Sequence, residues 1–153
     1  MRDRHLRALA VFFLALVASS LQCLAADKKA TAGPKGGKLL ESIGAHAEFV
    51  IGKDNRVAII FYDENLKSVP VSGQIVSVYA EPKTGKISLT MEKKDGALVS
   101  KEPLPKPGFF DEYQITVQIK AAEESKTESF KVRFDLDVCG KCKLQEYACI
   151  CRR

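Results

Sequence analysis

Hydrophobic and polar positions alternate most cleanly in two late stretches of the chain. Across residues 113–120, Tyr113, Ile115, Val117 and Ile119 alternate with Gln114, Thr116, Gln118 and Lys120. Across 130–138, Phe130, Val132, Phe134, Leu136 and Val138 alternate with Lys131, Arg133, Asp135 and Asp137. A period of two buries one face of a strand and wets the other, the pattern of antiparallel sheets. Five further short apolar runs lie at 46–51, 56–62, 74–80, 86–91 and 97–100. Turn-forming residues punctuate them. Gly52-Lys53-Asp54-Asn55 closes a hairpin, Pro70 and the Pro82/Gly85 pair break the chain, and Asp95-Gly96 marks another turn. Residues 103–108, with three prolines and a glycine, form a stiff loop. Seven short strands with no long amphipathic helix predict an all-β chain: a single antiparallel β-sandwich over residues 39–138.

One apolar run differs in kind. Residues 8–21 form about 14 consecutive apolar or small positions behind Arg2, Arg4 and Arg7. That length fits the hydrophobic region of a cleavable signal peptide and falls short of the ~20 residues of a membrane span. Small residues around 23–26 place cleavage so that residues 1–25 are the leader and the mature chain starts near Ala26 or Asp27. The expected location is therefore exported, periplasmic or secreted. Lipidation through Cys23 is disfavoured, because Ser20-Leu21-Gln22 lacks a Leu three positions before the cysteine and a small residue just before it. Residues 26–38, rich in Lys, Gly, Ala and Pro, read as a flexible mature N-terminus with no core to join.

Charge narrows the partners. Of the formal +5, the leader contributes +2 through three arginines and Asp3, which leaves +3 on the mature chain. Its lysines are dispersed along the strands, so nucleic acid is not an expected partner. No second apolar stretch approaches a membrane span, and no transmembrane segment is expected in the mature chain.

Residues 139–153 form a cysteine-rich tail directly after the last predicted strand. Cys139, Cys142, Cys149 and Cys151 give the spacing C-x2-C-x6-C-x-C within 13 residues. Export makes disulfides the default expectation, and short loops of this kind would each contribute about 2–3 kcal/mol. A Cys149–Cys151 bond closes a very tight ring, so pairings that join Cys139 and Cys142 to Cys149 and Cys151 are easier. A second reading is a thiolate metal site: four sulfurs complete a tetrahedral shell for a soft ion, Zn(II) or Cu(I). Lys141, Lys143, Arg152 and Arg153 would offset the thiolate charge. A third reading, a redox C-x-x-C, wants a helix after a strand in a βαβ setting, which this chain does not predict. Between the cysteine pairs, Leu144, Tyr147 and Ala148 fall on one face of a short helical turn that would lie back on the sandwich.

No constellation for catalysis is predicted, and the chain is not expected to be an enzyme. His46 is the sole histidine after the leader and reads as an edge residue. The pairs Asp111-Glu112 and Glu123-Glu124 sit in predicted turns and read as solvated charge. Gly33-Pro34-Lys35-Gly36-Gly37 has neither a preceding strand nor a following Lys-Ser/Thr, so it is a poor phosphate loop.

Tyr113, opening a late strand after a Pro/Gly loop, resembles the tyrosine corner of immunoglobulin-like domains. The chain lacks a core Trp and a mid-strand cysteine pair, so the expectation is an immunoglobulin-like topology and not a true immunoglobulin domain. Residues 33–41, the run Ala45-His46-Ala47-Glu48-Phe49-Val50 and the strand at 56–63 resemble small exported bacterial β-domains that open with a Gly-Pro-His-Gly-Gly motif. Related openings occur in periplasmic adaptor subunits of heavy-metal efflux systems. The resemblance spans about residues 33–91, and Lys35 stands where the motif has His, which removes one metal ligand. The expected function is an exported non-enzymatic binding module that holds Zn or Cu on Cys139, Cys142, Cys149 and Cys151. The alternative is a structural or interaction domain of the cell envelope whose tail cysteines form disulfides. The expected partner is a metal ion or another envelope protein.

Overall fold

The computed structural model describes residues 31–42, 45–106 and 112–151. Residues 1–30 with the expected leader and Cys23, Asp111, and Arg152 and Arg153 lie outside the described residues. Ten strands follow one another: β1 (Lys38–Ser42), β2 (Ala45–Ile51), β3 (Val57–Tyr62), β4 (Ser68–Val69), β5 (Ile75–Glu81), β6 (Ile87–Leu89), β7 (Met91–Lys94), β8 (Ala97–Ser100), β9 (Gln114–Lys120) and β10 (Glu128–Arg133). They form two antiparallel sheets. The larger runs β1-β2-β3-β8-β7 with β4 also paired to β3, and the smaller runs β10-β9-β5-β6. The chain is thus an all-β sandwich. No helix among the described residues is long and apolar enough to cross a membrane.

The alternation seen in the sequence sets the core. Ile115, Val117 and Ile119 of β9 face Val78 and Ala80 of β5, while Phe49, Ile51, Val57, Ile59 and Phe61 fill the opposing sheet's inner face. Asp95 and Gly96 both have positive φ, 50° and 81°, the two-residue turn that matches strand twist between β7 and β8. Tyr113 stacks on Phe134 at 4.7 Å, and its hydroxyl donates to the Pro105 carbonyl at 2.7 Å. This ties the proline loop to the start of β9.

Three expectations change. The run at 86–91 is not one strand: β6 pairs with β5 in the smaller sheet, and Met91 already belongs to the larger one. At the crossing residue the Thr90 N–H donates to the Glu102 carboxylate at 3.0 Å, and the Thr90 carbonyl accepts from Lys101. The last strand ends at Arg133, so the alternation at 134–138 does not continue the ladder, and Val138 is 63% exposed. Finally, residues 33–38 do join the core. They turn back through the Gly33 N–H to the Gly37 carbonyl at 3.0 Å, with an Ala32–Lys38 bridge.

Glu48 explains that last change. Its carboxyl group, fully buried on β2, accepts the Lys35 N–H at 2.9 Å and the Gly37 N–H at 2.7 Å. The Tyr62 hydroxyl donates to its other oxygen at 2.5 Å. A buried carboxyl group needs such donors, and here a glycine turn provides them. Burial first, then the Glu48 bond, holds the Tyr62 hydroxyl above its usual range, so it stays a donor. Gly33 and Gly37 are required because a Cβ on either would run into Glu48 or the Phe49 carbonyl.

Replacing Glu48 with Ala strands two N–H groups and one hydroxyl. We expect a stability loss of about 2–4 kcal/mol in urea unfolding followed by circular dichroism. Gly37→Ala should approach the same loss, because the obstacle there is backbone.

Candidate metal centre

Beyond Arg133 the chain has left the sheet and must satisfy its own backbone. It does so by folding back on itself. The Tyr147 N–H donates to the Asp135 carbonyl at 3.0 Å, the Glu146 N–H to the Asp137 carbonyl at 2.7 Å, and the Cys139 N–H to the Leu144 carbonyl at 2.8 Å. Val138 pairs with Gln145 in an antiparallel bridge. The loop at the tip is closed by the Lys143 N–H on the Cys139 carbonyl at 3.0 Å, with Lys143 in the left-handed region at φ 62°. A 3₁₀ turn over Glu146–Ala148 then returns Cys149 toward Cys142.

Tyr147 anchors this hairpin to the sandwich. Its ring is buried edge-on against Phe49, with centroids 5.7 Å apart at 82°, and its hydroxyl accepts the Ile51 N–H at 3.0 Å. Ala148 is buried beside it, and Leu144 reaches the glycine turn, since a Cβ on Gly36 would lie 3.5 Å from its Cδ2. The expected apolar face of Leu144, Tyr147 and Ala148 is therefore the docking face.

The four tail cysteines converge: their sulfurs all lie within 4.8 Å of one another. Among the described residues this is the group that could hold a metal ion. All four are free thiols, and Cys142 Sγ to Cys149 Sγ is 3.8 Å, well beyond the ~2.05 Å of a disulfide. A tetrahedral S4 shell with Zn–S of about 2.3 Å has sulfur–sulfur edges of about 3.8 Å. The Cys142–Cys149 edge meets that value, and the rest of the set closes by at most about 1 Å to reach it.

Backbone amides already favour charge on part of this set. The Cys142 and Lys141 N–H groups support the Cys139 sulfur and hold its pKa below the usual thiol range. The Leu144 N–H, outweighing desolvation and aided by the Ile150 N–H, brings Cys142 down to about 6. Cys149 goes the other way. The Cys151 N–H pulls its pKa down, but desolvation and its bonds to Cys139 and Cys142 outweigh this and push it up to about 12. Cys151 is raised, chiefly by its bond with Cys142. The surroundings thus bias charge toward Cys139 and Cys142 and away from Cys149 and Cys151.

The other sequence candidates stay apart. His46 lies five residues before Ile51 on β2, about 17 Å of strand from the Tyr147 anchor, and its Nδ1 is buried without a hydrogen-bond partner. Glu112 pairs with Arg133 at 3.1 Å, and Glu123 and Glu124 are exposed. Cys139-Gly140-Lys141-Cys142 sits on a loop, not at the start of a helix. Sequence reasoning passed over Glu48, whose signal was a charged residue inside an otherwise apolar strand, HAEFVI. Comparison with known proteins found no matching family model, no matching curated protein and no matching solved structure. Function is therefore argued from this chain's own residues.

Tyr147→Phe keeps the ring packing but leaves the Ile51 N–H unpaired. Urea titration is expected to show a loss of about 1–3 kcal/mol. In the metal-free protein, iodoacetamide labelling of Cys142 should rise as pH passes about 6 and exceed that of Cys149 at pH 7. Peptide mass mapping reads both sites.

Proposed function

We propose that this protein is an exported, non-enzymatic binding module that holds one soft metal ion, Zn(II) or Cu(I), on Cys139, Cys142, Cys149 and Cys151. The observation that carries this reading is the convergence of four free sulfurs around one centre. Soft thiolates select these ions, and the N–H bonds to Cys139 and Cys142 favour the thiolate form of both. Lys141 and Lys143, both exposed, offset the charge of a four-thiolate shell. Export is supported by the leader at 1–25. An immunoglobulin-like topology is supported by the order β2-β3-β8-β7 against β10-β9-β5-β6 and by the Tyr113 hydroxyl bond.

A second reading has one observation in its favour. Cys142 and Cys149 are already in sulfur contact at 3.8 Å, so oxidation there would make the tail a disulfide knob on a structural or interaction domain.

Native mass spectrometry of mature protein, purified without reductant and then with zinc under anaerobic conditions, separates the two. The metal reading predicts one equivalent of bound ion, lost in Cys139→Ser, and a melting temperature raised by several degrees. A metal-free mass lower by the hydrogens of all four thiols, with no response to zinc or copper, would sink it.

A further inference from the structure

The four ligands of this centre are not held alike. Cys139 is buried, Cys142 and Cys149 are half-buried, and Cys151 is exposed. Backbone amides support the first three: Cys142 and Lys141 at Cys139, Leu144 and Ile150 at Cys142, and Cys151 at Cys149, the last at 3.4 Å. The Cys151 sulfur instead leans on the side chains of Cys142 and Cys139. Its residue also lies beyond the 3₁₀ turn and the Tyr147 anchor, whereas Cys139 is pinned at both its N–H and its carbonyl.

From this asymmetry we infer that the centre is a transfer site for its metal ion, with Cys151 the exchangeable ligand through which the ion passes to or from an incoming thiolate donor. The inference rests on the metal reading above. Cys139, Cys142 and Cys149, buried or half-buried, form the retained face. An incoming thiolate bonds to the ion on the solvent side, the bond to Cys151 breaks, and the released Cys151 thiolate takes a proton from water. Charge and coordination number are conserved and no electron moves. Structural zinc sites fill all four positions with protein ligands, while catalytic ones hold three and leave the fourth to a ligand that exchanges. Here the accessible position is the one whose sulfur, among the described residues, leans on side chains and not on amides.

The test uses the full mature chain loaded anaerobically with one equivalent of Zn(II), and 4-(2-pyridylazo)resorcinol as a coloured acceptor, with glutathione added as thiolate donor. Wild type should transfer zinc at a rate that increases with glutathione concentration. Cys151→Ser should still take up one equivalent but release it faster by about 10–100-fold, the range that even outer-shell partners command. Cys139→Ser should retain no zinc. As a readout independent of that fold-change, N-ethylmaleimide on the zinc-loaded wild type should add first at Cys151, located by peptide mapping.

Circular dichroism melts of each variant separate loss of ligand from loss of fold. A Cys151→Ser chain that melts like wild type but cannot hold zinc would overturn the inference, because all four ligands would then be equivalent. So would a transfer rate independent of glutathione, or alkylation that begins elsewhere. Failure of wild type itself to take up zinc or copper would instead overturn the metal reading on which this one stands.

Discussion

Tyr147 is the contact on which the candidate centre depends. Once β10 ends at Arg133, the Phe134 N–H still reaches the Tyr113 carbonyl, but no strand pairs with residues 135–151, and a free tail would carry its cysteines anywhere. The hairpin of 134–147 satisfies the backbone, but a hairpin this small is marginal in water unless it buries something. Tyr147 is what it buries. The ring packs against Phe49, on the order of 2–3 kcal/mol of apolar burial, and the hydroxyl takes the Ile51 N–H at the end of β2, just before the β2–β3 turn. That bond is double-edged. It holds the tail to the sandwich, and it satisfies an amide that the sheet leaves open.

The same end of the molecule carries a second polar tie. Glu48 gathers the glycine turn of residues 33–37 onto β2, and the turn in turn meets Leu144 of the tail. The glycines thus serve neither phosphate nor metal. The Gly37 N–H is taken by the Glu48 carboxyl group together with the backbone N–H of the exposed Lys35, and the Gly33 and Gly36 N–H groups by carbonyls within the turn. The two ties are chemically unlike, one a carboxyl group in a nest of amides and the other a phenol on a sheet end. Together they place a rigid surface beneath the cysteine hairpin.

How much of this was legible in the sequence follows from which constraint each element answers to. β9 answers to burial of one face, so its alternation was visible and its core residues Ile115, Val117 and Ile119 are where the pattern puts them. β1 has Leu39 and Leu40 side by side, with no alternation to mark it, and β4 is only two residues long. The 86–91 run shows apolar residues but not which sheet each one serves, and its division at Thr90 depends on a carboxylate from Glu102. Residues 134–138 keep the period of a strand after the ladder has stopped, which is why Val138 was expected inside and lies outside. The cysteine spacing named the ligands. Their convergence could not be read, because it depends on hydrogen bonds between residues 135–139 and 144–147 that leave no periodic trace.

The arrangement of the sulfurs also bears on the proposed export, which would put four thiols in an oxidising compartment. Disulfides want sulfurs in two close pairs, with each pair free to reach its own dihedral angle. Here the sulfurs surround a common point, and amide N–H groups hold Cys139 and Cys142 toward it. The same N–H groups that favour thiolate make Cys142 the easiest of the four to oxidise when no cation is near. A bound ion removes that hazard by engaging the charge the amides have created. In the metal reading proposed above, ion and oxidant compete for the same sulfurs, and their convergence on one centre favours the ion.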